Sequence, residues 1–150
     1  MTVLDAPEVE SASFPAPAAG APAAFAVLSF SEPMPGFPRF RDYALVAADG
    51  SGSVSWLQAV DPDGPRFLVI PAALFFPDYA PTLPGAVVAE LELGDPGEAR
   101  LYCVVTVPSG DVSAATANLR APVVVNPTTG RAQQVVLTDG VHPIRRPLRR

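Results

Sequence analysis

From about Phe25 onward, short apolar runs rich in Val, Leu and Phe alternate with clusters of Pro, Gly and Asp every 8 to 15 residues. That spacing is the pattern of an all-β sandwich or small barrel. Two runs carry a clear period of two. In VVAELEL, Val87, Ala89, Leu91 and Leu93 fall on one face and Glu90 and Glu92 on the other. In RLYCVVTV, Leu101, Cys103, Val105 and Val107 share a face opposite Arg100, Tyr102 and Thr106. The linking LGDPGEAR, with Asp95, Pro96 and Gly97, supplies turn chemistry, so the two runs are predicted to form a hairpin. Further strands are predicted at 24–30, 42–47, 54–60, 67–70, 122–126 and 132–137, with tight connections at DGSGS, DPDGP and NPTTGR. The last of these has Gly130 where a left-handed residue would close a hairpin. ALFFPDYAP, where Phe75, Phe76 and Tyr79 surround Pro77, and SGDVSAATANL can each hold a short helical turn.

Composition sharpens this picture. At 150 residues and 49% hydrophobic, the chain suits one domain with a substantial core. Its 19 prolines and 11 glycines argue against a helical bundle, because proline removes a backbone donor and clashes inside a helix. Residues 15–24 read PAPAAGAPAA, which cannot bury enough side-chain area to offset the entropy of ordering it. The expected organisation is a disordered Pro/Ala-rich arm over 1–23, a β domain over 24–144 and a basic tail over 145–150. All cations are arginines, and Arg145, Arg146, Arg149 and Arg150 crowd the end of the chain. Over residues 1–144, six arginines face 15 carboxylates, a balance of −9. Such a body repels phosphate backbones and steers basic partners towards itself, so no direct nucleic-acid partner is expected. The single cysteine, the lack of a membrane-length apolar run and the absence of a basic start suggest a reducing, cytoplasmic setting with no membrane partner.

Little catalytic chemistry assembles. Cys103 falls on the apolar face of a strand, which predicts a buried, inert thiol. His142 is the only histidine, so any triad or multi-histidine metal site would hang on it; a surface histidine is expected. Glu90 and Glu92 would lie about 7 Å apart on a strand, a spacing that could suit an inverting carboxylate pair, but a solvated strand face fits better. The DPDG at Asp61–Gly64 lacks the remaining ligands of a calcium loop and is expected to be a turn. No GxSxG, Walker A, dinucleotide fingerprint or CxxC occurs. Asn118, just before an apolar run, is expected to cap a turn, satisfy a buried backbone group or contact a partner. Phe37, Phe40, Phe75, Phe76 and Tyr79 lie in proline-flanked segments, as barrel plugs or as binding anchors.

The blocks FSEPMPGFPRFRDYALV at 30–46, WLQAVDPDGPRFLVIPAALFFPDYAP at 56–81, LYCVVTVPSG at 101–110 and ATANLRAPVVVNPTTGRAQQVVL at 115–137 occur in an order and spacing that resemble the FliW family of flagellar assembly factors. The resemblance covers essentially the whole ordered region. It implies an all-β fold, a small closed β-barrel or barrel-like sandwich with short helical turns, with no catalytic activity and no cofactor. It also implies binding of flagellin and, in alternation, of the translational regulator CsrA, so that flagellin supply governs its own translation. Positions matching the family pattern include Gly36, Phe37, Leu57, Gln58, Pro71, Asp78, Tyr79, Asn118, Leu119, Ala121, Pro122, Asn126 and Gln134. From these and the aromatic segments, the expected partner-binding residues are Phe37, Phe75, Asp78, Tyr79, Asn118, Leu119, Ala121, Pro122, Asn126 and Gln134. Pro33 stands where the family commonly has Gly, and Ala59 where it has Ser. The rival functions are a small β-barrel ligand binder, which needs a cavity, and an oligonucleotide-binding barrel, which needs a basic aromatic groove.

Overall fold

The structure is a computed structural model that describes residues 25–48 and 53–148, for Phe25 and Ala26 the backbone only. The expected arm, the body of the DGSGS connection and the last two arginines lie outside the described residues. Among the described residues, nine strands form one sheet: β1 (Phe25–Phe30), β2 (Asp42–Ala47), β3 (Ser55–Ala59), β4 (Arg66–Pro71), β5 (Arg100–Thr106), β6 (Thr116–Ala117), β7 (Val123–Val125), β8 (Arg131–Gln134) and β9 (Arg146–Pro147). β1 to β4 are an antiparallel meander, and β4 pairs β5 through Ile70↔Cys103 and its neighbours. β5 pairs β7, β7 pairs β8, and β8 returns to β1 in parallel, so that seven strands close a barrel. The far half of β5 turns outward to pair β6, which carries β9 on its other side.

Alternation along the strands sorts side chains to the two faces of this ring. Leu28, Phe30, Met34, Tyr43, Leu57, Phe67, Val69, Val104, Val123 and Val125 point inward and make one cluster, with Tyr43, Phe30, Phe67 and Met34 as its largest fully buried side chains. On β5 the opposite face is also covered, with Cys103 and Val105 packing outside the ring against Ile70, Ala72, Phe76, Ala117 and Leu119. The inert-thiol expectation matches this burial, which pushes the Cys103 thiol up to about 12. β7 is buried at every residue for the same reason, Val124 meeting a third cluster on the outer wall. The turn at NPTTGR closes with Gly130 at φ +80, its N–H bonded to the Asn126 carbonyl at 2.8 Å. The DPDG segment is a turn, with Asp61 Oδ1 accepting from the Asp63 N–H at 2.9 Å.

The predicted hairpin between VVAELEL and β5 does not form. Two short helices follow β4: α1 (Ala72–Phe75) and α2 (Gly85–Glu90), and α2 takes up most of the presumed strand. Val87 and Leu91 satisfy both a two-residue and a four-residue spacing, so the pattern fitted either element. What decides between them is the ring, whose ladders are complete without another strand while the outer face of β7 and β8 needs cover. α2 and the turn that ends it supply it, packing Val87, Leu91 and Leu93 on Val124, Val135 and Leu137. Its end is a Schellman arrangement: Leu93 N–H bonds Val88 O at 2.9 Å, Glu92 N–H bonds Ala89 O at 3.1 Å, and Glu92 sits at φ 57. Glu90 and Glu92 are therefore at a helix terminus instead of along a strand face. The Asp95-Pro96-Gly97 turn exists, as a capped 3-10 turn leading into β5. The expected helical turns at ALFFPDYAP and SGDVSAATANL are present as α1 and as two 3-10 turns.

Candidate functional site

β4 ends in Pro71 and runs directly into α1, which Pro77 terminates; Tyr79 N–H then bonds Phe76 O at 2.9 Å. This brings Phe75, Asp78 and Tyr79 to one end of the barrel, beside the segment after β6. There Asn118 Oδ1 accepts from the N–H groups of Arg120 at 2.9 Å and Ala121 at 3.1 Å, holding a tight turn. The Tyr79 hydroxyl donates to the Leu119 carbonyl at 2.6 Å and ties the two segments together. Burial, with the nearby Cys103 and Asp139, raises the Tyr79 phenol well above its ordinary range, so this donor stays protonated.

Two open depressions flank Tyr79. A groove of about 710 Å³ is lined by Phe75, Phe76, Asp78, Tyr79, Leu119, His142, Arg146 and Leu148. A cleft of about 520 Å³ on the other side is lined by Leu45, Ala47, Ser55, Pro71, Ala72, Arg100, Leu101 and Tyr102 among others. His142, expected at the surface, is mostly covered: its side chain is 18% exposed, packs edge-on to Tyr79 at a centroid distance of 5.0 Å and lies 3.8 Å from Asp139. Its tyrosine contact follows from the return of the C-terminal segment across the groove, which also sets the Arg146 guanidinium over the Phe76 ring at 5.2 Å.

The structure brings together five of the ten expected contact residues, Phe75, Asp78, Tyr79, Asn118 and Leu119, with Asp78 exposed and Leu119 buried. Ala121 and Pro122 are buried behind them, and Gln134 Nε2 donates to the Ala121 carbonyl at 3.0 Å. Asn126 is elsewhere, only 5% exposed beneath α2, where its Nδ2 donates to Leu91 O at 2.8 Å and its Oδ1 accepts from Thr128 N–H. Phe37 is at the opposite end of β4, edge-on to Phe67 at 5.5 Å. His142, Arg146 and Leu148 line the groove without having been singled out for it. Nothing in the sequence marked them, because a two-residue strand is too short to carry a period. Among the described residues there is no cluster of three or more potential metal ligands, and no helix is long and apolar enough to cross a membrane.

The family model described as FliW protein matches residues 21–148. The flagellar assembly factor FliW of Moorella thermoacetica is 37% identical over 111 residues, spanning 74% of this chain and 70% of that protein. The flagellar assembly factor FliW of Symbiobacterium thermophilum is 37% identical over 124 residues, 81% of this chain and 88% of its own length. A crystal structure of the flagellar assembly factor FliW superimposes with a TM-score of 0.73 at 26% identity, covering 81% of this chain and 84% of the other.

Proposed function

The chain belongs to the FliW family and is a flagellar assembly factor, and on that footing we propose that it works by binding: it holds flagellin and, in alternation, the translational regulator CsrA in the cytoplasm. Free factor keeps CsrA from the flagellin message, and newly made flagellin takes the factor away again. The observation that carries this reading is the groove at Phe75, Asp78 and Tyr79, where half-buried aromatic rings meet an exposed carboxylate. Aromatic anchors with a polar rim are the usual makings of a protein-binding hot spot. The acidic body supports CsrA as a partner, since a field that attracts a basic RNA-binding protein also repels the phosphates that protein would otherwise hold.

The test is calorimetry of the purified chain with flagellin and with CsrA from the same host. Phe75→Ala and Asp78→Arg should weaken at least one complex roughly tenfold while the thermal midpoint holds. The CsrA complex should also weaken as salt is raised. Wild-type affinity for both partners in both folded variants would remove the groove from the binding surface. Failure of the wild-type protein to bind either partner would remove the proposal itself.

A further inference from the structure

The second cluster, outside the barrel, ends at a sheet edge that the chain covers with its own last described residues. β6 is two residues long, bonded on one side to β5 and on the other to β9, with Thr116 opposite Pro147 and Ala117 opposite Arg146. Leu148 N–H donates to Ala115 O at 3.1 Å, and Pro143 O accepts from Leu119 N–H at 3.0 Å. Alternation puts Arg146 and Leu148 on the same side, the exposed Arg146 over the Phe76 ring and the half-buried Leu148 against the second cluster. The outer side of the segment is solvent: Val141 is 72% exposed and Ile144 51% exposed, and Arg145 and Pro147 are exposed too. Pro147 offers no N–H, so β9 cannot hand the edge on to another strand. The floor beneath, Phe76, Ala115, Ala117 and Leu119, is buried, and Leu148 packs against it.

We propose that the β6 edge is a strand-addition site for an extended segment of a partner protein carrying a cation-x-aliphatic pattern, and that residues 141–148 are its resident occupant, which the partner displaces. The resident shows what fits: the β6 ladder, with the Ala115 carbonyl accepting from Leu148 N–H, holds any sequence, while the Phe76 ring and the apolar floor select the alternate side chains. Charge favours the same partner, because Asp78 lines the groove and the body beyond the terminal arginines carries a balance of −9. The proposal concerns the edge alone and stands whether or not flagellin and CsrA are the partners.

The test uses the full chain with Thr116→Cys and Pro147→Cys, positions opposed in register and turned away from the face shared by Ala117 and Arg146; the native thiol, Cys103, is buried. The probe is a fluorescent peptide of residues 141–150, VHPIRRPLRR. The reduced protein should bind it saturably and the oxidised protein roughly tenfold or more weakly, because the locked resident removes the competent state. A peptide with alanine in place of Arg146 and Leu148 should not bind. As a second arm, the full chain carrying Arg146→Ala and Leu148→Ala should bind the unaltered peptide roughly tenfold tighter than wild type, its own occupant being weakened. Equal affinity in the two redox states, indifference to the alanine changes in either molecule, or no saturable binding up to about 1 mM would overturn the proposal.

Discussion

Tyr43 is the largest fully buried side chain of the barrel interior, and its hydroxyl has no hydrogen-bond partner among the described residues. The ring earns its place by packing: it meets Phe30 at 5.1 Å and Phe67 at 6.4 Å between centroids. The oxygen, by contrast, costs desolvation without return, and burial pushes the phenol up to about 12. Tyr43→Phe is therefore expected to leave stability unchanged or raise it by up to about 1 kcal/mol in urea unfolding. The sign with pH follows from the raised value. Below pH 10 folded and unfolded chains both keep this proton. Between about pH 10 and 12 only the folded chain keeps it, so stability falls through that window by up to about 1.4 kcal/mol per pH unit. The phenylalanine variant should show a shallower alkaline flank, and an identical flank would show that Tyr43 titrates normally. Nothing in the sequence marked this hydroxyl as unpaired, since partners across a barrel depend on register. Asn118 was different: an amide before an apolar run suggested a turn cap, and its two backbone bonds form one.

Among the elements, α2 is the one that local pattern misassigned, and its cap shows why. Helices commonly end on glycine in the left-handed region, and a glycine there is the signal a sequence offers. Here Glu92 takes that conformation at φ 57, and the glycine, Gly94, comes two residues later. Glu92→Gly should relieve about 1 kcal/mol of backbone strain, against the few tenths carried by the exposed 3.9 Å pair of Glu92 with Arg131. The expected net gain in unfolding free energy is about 0.5–1 kcal/mol, measured by urea titration; a loss of stability would mean that the pair outweighs the strain. The barrel strands were legible as short apolar runs bounded by turn residues, with or without alternation. β2 spans Asp42–Ala47 as predicted. β8 ends at Gln134, three residues before the predicted end. Even so, Val135 N–H bonds Pro122 O and Leu137 N–H bonds Arg120 O, so the contact with β7's flank continues without regular pairing. The two-residue strands β6 and β9 are too short to carry any period, and only the closed fold defines them.

For the molecule as a whole, Cys103 reports on the ring. It lies on β5, the strand shared by the barrel, the outer cluster and the β6 edge, and it is 0% exposed. Labelling with a disulfide reagent at pH 8 should run roughly a thousandfold or more slower than with free cysteine, because both access and ionisation require opening. Fast labelling would mean that β5 separates from its neighbours far more readily than its packing implies. The order of pairing also bears on how the chain comes into being. The meander of β1 to β4 can assemble from neighbours in sequence, but β1 and β4 remain open edges until β8 and β5 arrive, and β8 comes only at Arg131–Gln134. On the ribosome, therefore, the chain must emerge through Arg131–Gln134 before the first strand finds its second partner. A product terminated early would display two unpaired edges, an aggregation-prone form that differs in kind from the finished protein.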